Sequence, residues 1–300
     1  MTQLIIGPGA MGGLLGIKLA SQQAVMLAGR RPLPSPQSLT SPQGSTTQHA
    51  VDGRLATSLT AHDLLTVTTV HLMTKAYAAE SALAEVATRL PAATPLVLWQ
   101  NGFEVQPRLT RDWPGPTLCA STTEGAYRQS DSHIVHAGHG HTWIGHLEGE
   151  HASLATELAD TLTRSGLACQ AVDDIHQRLW HKLAVNAAIN PVVARYRIRN
   201  GRLAEPRFAP ITNAIIAEVA DIMHSAGVAL PARGLSGLVW QVIEDTAHNR
   251  ASMLQDVLAG RPTEHDAILL PLLHLAREHH REAPCLAAFH RYFYQRSATG

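Results

Sequence analysis

The chain has 300 residues, enough for two domains of roughly 150 each, and 45% hydrophobic content with a mean hydropathy near zero describes a well-cored protein. Its 24 basic residues balance 24 acidic ones without any basic block, which argues against a nucleic-acid partner. No apolar run approaches the ~20 residues of a membrane span, and the N-terminal MTQLIIGPGAMGG lacks the basic region and cleavage pattern of a signal peptide, so the chain is expected to start inside its fold. Cys119, Cys169 and Cys285 are odd in number, far apart and outside metal-ligand spacing, which suits buried thiols in a reducing cytoplasm.

From residue 1 to about 172, short β-rich runs alternate with helical stretches: LIIG, a helix through Ala20, AVMLAG, TTVHLM, a helix over Ala76 to Arg89, LVLWQ and LCASTT. That alternation predicts a parallel sheet with helices on both faces. At residues 7–12, GPGAMG follows the apolar LII and precedes a helix, the setting in which GxGxxG holds a dinucleotide pyrophosphate. Gly7 permits the tight turn, Gly9 lets the backbone approach the anion, Gly12 allows close helix packing, and Ala10 and Met11 open the helix whose N-terminus favours negative charge. The second strand ends in Ala28-Gly29-Arg30-Arg31, where NAD enzymes carry an acid for the ribose 2′-hydroxyl. Two guanidiniums suit a 2′-phosphate, so NADP is the expected cofactor. The Pro/Ser/Thr-rich stretch 32–47 reads as a surface loop. Thr74-Lys75, Gln100-Asn101-Gly102 and Thr122-Thr123-Glu124 fall at the C-terminal edge of the sheet, where open α/β sheets bind ligands; Asn-Gly is also an ordinary turn signal.

Eighteen histidines are unusual, and His133, His136, His139, His141 and His146 crowd HIVHAGHGHTWIGH. This segment reads as a β-hairpin about Gly138-His139-Gly140. No cysteine or carboxylate completes a tetrahedral set with it, so no metal is expected. The strand LACQAV at 167–172 closes the unit.

After Asp173-Asp174, an acidic pair suited to a helix N-terminus, helical patterns fill the chain: 174–196, 206–226, 233–258, 264–281 and 285–297, with breaks at Gly201, Gly227, Gly260 to Pro262 and Pro284. The predicted organisation is an α/β Rossmann-type dinucleotide-binding domain over 1–172 and an all-α domain over 173–300. Lys182, Asn186 and Asn190 recur every four residues in WHKLAVNAAINP and fall within ~80° of one another at ~100° per helical residue. Ala184, Val185, Ala187, Ala188 and Ile189 cover so much of the remaining circumference that a solvated surface face fits poorly. Polar groups facing a core cost on the order of 1–3 kcal/mol each if left without partners; a lined pocket fits better. Reduction of a carbonyl by hydride needs a proton donor, which Lys182 can supply if burial lowers its pKa, and orienting hydrogen bonds, which the two carboxamides can supply. Thr263-Glu264-His265-Asp266 opens a helix, with Thr263 and Asp266 in capping-box spacing and Glu264 in the first turn.

Taken together, GPGAMG, Lys75-Ala76, Gln100-Asn101-Gly102, WHKLAVNAAINP, Asn200-Gly201, the run NRASMLQD from Asn249 to Asp256, and Thr263 to Asp266 resemble the ketopantoate reductase (2-dehydropantoate 2-reductase) family over nearly the whole chain. The resemblance implies NADPH-dependent reduction of ketopantoate to (R)-pantoate in pantothenate biosynthesis. It implies Lys182 as general acid and Glu264 as the carboxylate that grips the substrate hydroxyl and supports the lysine. It also implies Asn101 as a group positioning lysine and nicotinamide, Asn186, Asn190, Asn200 and Ser252 as substrate contacts, and Arg30 and Lys75 as cofactor contacts. His265 departs from the aliphatic residue usual at its position. Other outcomes within the same architecture are a reductase of another 2-keto acid, an opine-like dehydrogenase, or a non-catalytic NADP sensor. The expected partner is a small 2-keto acid, with no membrane and a monomeric or homodimeric state.

Overall fold

The computed structural model describes residues 2–297; Met1 and residues 298–300, at the outer ends of the two expected domains, lie outside the described residues. The chain forms two compact units, Met1–Gln100 with Val105–His176, and Asn101–Glu104 with Gln177–Gly300.

The first unit runs β1 (Thr2–Ile6), α1 (Ala10–Leu19), β2 (Ala24–Gly29), β3 (Gln37–Thr40), β4 (Thr46–His49), β5 (Asp52–Leu55), α2 (Ala61–Leu65), β6 (Val67–Leu72), α3 (Ala79–Ala87), β7 (Leu96–Leu98), α4 (Val105–Asp112), β8 (Thr117–Thr122), β9 (Gly125–Ser130), β10 (His133–Gly138), β11 (Thr142–Gly145), α5 (Ala152–Arg164) and β12 (Cys169–Ala171). An eight-stranded sheet has the order β12-β11-β8-β7-β6-β1-β2-β5. From β1 the chain winds outward through β2 to β5, then returns to the other side of β1 with β6, β7 and β8, all in parallel. The reversal lies between β1 and β6, the switch point at which such sheets receive ligands. Leu4, Ile5 and Ile6 are essentially inaccessible, as a continuous apolar run requires when both faces of a parallel strand are covered.

Three expectations change here. The stretch 32–47 is not simply a loop: β3 and the start of β4 lie within it and build a second sheet, order β4-β3-β10-β9. The histidine-rich segment is not one hairpin. β10 pairs antiparallel with β9, while β11 pairs antiparallel with β8 in the large sheet. Gly140 makes that crossing possible, because a Cβ there would sit 2.3 Å from the Glu124 nitrogen. Finally, a carboxylate does join the histidines, since Glu124 Oε2 lies 2.6 Å from His136 Nε2.

In the second unit α6 (Ile175–Tyr196) is followed by a short 3-10 turn at Asn200–Ala204, then α7 (Ala209–Ser225), α8 (Gly234–Asp245), α9 (Ser252–Leu258), α10 (His265–Glu278) and α11 (Pro284–Ser297). The core joins Leu183, Ala184, Ala187, Ala188 and Val192 of α6 to Ile215 and Val219 of α7, Val239 of α8, and Leu269 and Leu272 of α10. α6 continues through Pro191, although proline there lacks the N–H that would bond the Ala187 carbonyl. The single helix expected over 233–258 is instead two. Residues 246–249 leave the helical path to bond the 3-10 turn: Asn200 N donates to Asn249 O at 3.2 Å and Gly201 N to Ala247 O at 3.0 Å.

Candidate active site

In the α/β unit, the glycine turn has the expected local geometry. Gly7 takes φ +92°, and a Cβ there would clash with the Thr74 backbone at 2.6 Å. This brings the end of β1 against the end of β6, next to Lys75, which is partly buried. The Gly7 amide donates to the Ala28 carbonyl at 3.0 Å and Gly9 N to Gly7 O at 2.8 Å, closing the turn. A Cβ on Gly12 would lie 2.3 Å from Gly7 O, whereas one on Gly9 would meet no protein atom within 4 Å. Gly9 is the N-cap of α1, so Ala10, Met11 and Gly12 form the helix's first turn with its amides at the dipole's positive end. These features fit an incoming pyrophosphate. Of the two guanidiniums after β2, Arg31 pairs with Asp131 at 2.6 Å, and Arg30 is exposed.

Two further supports hold this edge, one unmarked in the sequence and one noted there only as part of Gln100-Asn101-Gly102. Arg128 of β9 donates to the Pro8 carbonyl of the glycine turn at 2.9 Å, and burial lowers its pKa. It went unseen because residues 125–130 show no clear strand alternation. Gln100 is buried, donating to Leu72 O at 2.8 Å and receiving Gln106 Nε2 at its own carbonyl at 2.9 Å.

In the helical unit, Lys182, Asn186 and Asn190 stand at successive turns of α6, about 6 Å apart along the axis. Lys182 and Asn186 are partly buried and Asn190 is buried. Burial pushes the Lys182 ammonium down to about 8, while the Glu264 carboxylate pulls it upward. Glu264 is itself buried, 4% exposed, and accepts a hydrogen bond from Asn101 Nδ2 at 3.3 Å. The structure thus gathers Lys182, Glu264 and Asn101, drawn from three distant parts of the sequence.

Their supports differ from the expected ones. The capping box at Thr263 is not formed: α10 begins at His265, its N-cap is Glu264 with no side-chain cap, and Thr263 Oγ1 lies 3.0 Å from His265 Nδ1. The Glu264 carboxylate bonds Asn101 rather than its own helix end. Asn101 is held because Gly102, at φ +85°, would place a Cβ 2.2 Å from Ala267 O, and because the Phe103 ring packs on Trp180 of α6 at 4.9 Å. Trp180 opens the motif WHKLAVNAAINP, but nothing in the sequence marked Phe103 as its partner. Asn200 is buried and donates to Thr246 Oγ1 at 2.9 Å, leaving its Oδ1 without a partner among the described protein atoms. Ser252 is exposed at the first position of α9.

A switch-point glycine turn in one unit and, in the other, a partly buried lysine whose pKa falls to about 8 beside a carboxylate are the features of a dinucleotide-dependent oxidoreductase. The family model described as ketopantoate reductase PanE/ApbA matches residues 3–149, and that of its C-terminal region matches residues 174–296. The chain belongs to the ketopantoate reductase family. The 2-dehydropantoate 2-reductase of Vibrio cholerae serotype O1 is 32% identical over 293 residues, covering 97% of this chain and 96% of that one. Among solved structures, D-mandelate dehydrogenase with NADH and anilino(oxo)acetate shares the fold with a TM-score of 0.89 at 19% identity, covering 100% and 99% of the two chains. A PanE/ApbA family ketopantoate reductase from Ralstonia eutropha JMP134 does so with a TM-score of 0.86 at 20% identity, covering 98% of each. The expected architecture, a Rossmann-type α/β region followed by helices, is the one observed.

Proposed function

We propose that the protein reduces the 2-keto group of ketopantoate to (R)-pantoate with NADPH, acting in the cytoplasm as a monomer or homodimer, with Lys182 delivering the proton. The observation that carries this reading is the Lys182 and Glu264 pair, in which burial brings the lysine pKa to about 8. A bound nicotinamide supplies the hydride. The chain's own residues do the rest. Lys182 Nζ gives its proton to the carbonyl oxygen as negative charge develops there, the arrangement that general acid catalysis requires. Glu264 accepts the substrate hydroxyl and keeps the lysine charged, while Asn101 holds that carboxylate in place through its 3.3 Å bond. Asn186 and Asn190, on the same face of α6, orient the substrate without adding charge. Asn200 offers its unpartnered oxygen, and Ser252 meets the substrate carboxylate. Gly7, Gly9, Ala10, Met11, Gly12 and Lys75 serve the cofactor phosphates, and Arg30, with Arg31 held by Asp131, takes the 2′-phosphate. In this reading residues 1–172 bind the cofactor and 173–300 the substrate.

Steady-state kinetics test it. Purified protein should oxidise NADPH on addition of ketopantoate, faster than NADH and faster than with other 2-keto acids. Lys182→Ala should lose about 10²–10⁴-fold in kcat with its circular dichroism unchanged. A normal rate in that variant removes Lys182 from the mechanism, a better 2-keto acid displaces ketopantoate, and a preference for NADH removes Arg30 from its role.

A further inference from the structure

Glu124, His136 and His139 form a cluster for which the proposed reaction has no use. Glu124 follows β8, His136 lies in β10, and His139 sits in the turn leading to β11. The side chains of Glu124 and His136 are 3% and 1% exposed and lie 2.6 Å apart, Oε2 to Nε2. The His136 and His139 rings meet edge to face with centroids at 4.9 Å. One ligand-type atom from each of the three residues lies within 4.8 Å of the other two. The backbone beneath them is stitched: Thr123 N donates to His141 O and His141 N to Thr123 Oγ1, both at 2.9 Å. Gly140, against the Glu124 nitrogen, leaves no room for a side chain that would hold the two segments apart.

We infer that Glu124, His136 and His139 are a binding site for a divalent transition-metal ion of the zinc class. Two imidazole nitrogens and one carboxylate oxygen are a borderline donor set, suited to Zn²⁺ or Co²⁺ rather than to Ca²⁺ or Mg²⁺, which prefer oxygen throughout. With bonds of about 2.0–2.1 Å, tetrahedral ligand atoms stand ~3.3 Å apart. The Glu124 and His136 pair therefore opens by less than ~1 Å to admit the ion, and His139, being exposed, turns in from the surface. Its exposed side leaves a fourth position to water. Gln43 Nε2 lies 3.2 Å from His139 Nε2; a half-turn of that carboxamide places its oxygen there instead, to accept the ring N–H and leave Nδ1 for the metal, the outer support such ligands usually have. The ion would pin the end of β8, in the large sheet, to β10, in the small one. A second grouping, His146 with Glu150 and His151, lacks this capacity. His146 Nδ1 already accepts the Glu148 and Glu150 amides, each at 3.2 Å, so a neutral ring keeps its proton on Nε2 and has no lone pair to give.

The test is titration of the chelator-stripped full-length protein with Co²⁺, followed by visible d–d absorption and by competition with Zn²⁺. One equivalent should develop the intense bands of a low-coordinate site and raise the unfolding temperature. His139→Ala, a surface change that leaves the fold intact, should weaken binding about 10–100-fold or more, as should Glu124→Gln if it folds. His290→Ala, in the separate grouping of His265, Asp266 and His290, should leave the bands unchanged. Absence of both bands and thermal shift overturns the inference, as does equal affinity in His139→Ala or loss of binding in His290→Ala.

Discussion

Lys182 is under two opposed influences, burial that favours the neutral amine and Glu264 that favours the ammonium, and burial is the larger. In its proposed role as general acid it must be protonated, so kcat/KM for keto-acid reduction should fall as pH rises through about 8. Replacing Glu264 with Gln removes the influence that raises the pKa and keeps the one that lowers it. The alkaline limb of the pH profile in Glu264→Gln should therefore move to lower pH; a limb that stays in place would show that another group sets it. The four-residue spacing of Lys182, Asn186 and Asn190 was legible in the sequence because a helix maps spacing directly onto a face. The partner of Glu264 was not. Local pattern at 263–266 pointed to a capping box, but Thr263 is engaged with His265 Nδ1, and Asn101 reaches the carboxylate across 163 positions of sequence.

At the scale of elements, helices and parallel strands followed their periodicity closely, and the differences fall where a segment bonds to something distant. The helical pattern over 233–258 is unbroken by glycine or proline between 238 and 258, yet the chain leaves the helix at Thr246. Its hydroxyl donates to Val242 O at 2.6 Å and receives Asn200 Nδ2, so the end of α8 is tied to the 3-10 turn after α6. Thr246→Val keeps the shape and removes the hydroxyl, leaving a buried amide nitrogen of Asn200 without its partner. Urea unfolding should show a loss of about 1–3 kcal/mol; a change within a few tenths would mean that the break is held elsewhere. The small sheet was missed for a similar reason. β3 pairs with β10 across more than 90 positions, and four residues of mixed polarity carry too little alternation to be recognised alone.

Across the whole molecule, the histidines give stability a direction in pH. His71 lies in β6, 1% exposed, with Trp99 Nε1 donating to its Nδ1 at 3.2 Å and Gln3 Oε1 2.9 Å from its Nε2. The ring is thus held neutral, and burial drives its pKa to about 3. Burial also lowers His49, His146, His176 and His265. Above about pH 6.5 both folded and unfolded rings are neutral and the full stability is present. As pH falls below that, the unfolded chain takes protons that the folded rings refuse, and stability is lost progressively toward about 3. Thermal melts from pH 7 to 4 should show Tm falling steadily; a flat Tm would contradict the neutral burial of these rings.

The four residues Asn101–Glu104 belong to the helical unit although the chain on both sides of them belongs to the α/β unit. The backbone consequently passes between the units at 100/101, 104/105 and 176/177 rather than once. A fragment cut at Gln177 would retain Lys182, Asn186 and Glu264 but lose the amide that holds the Glu264 carboxylate and the ring that covers Trp180. The helical half, which in the proposed mechanism gives the proton, is therefore not a cassette that a single cut could transplant onto another dinucleotide-binding partner. A chimera would have to carry residues 101–104 with it, and a nascent chain completes its helical unit with a segment made some 70 residues earlier.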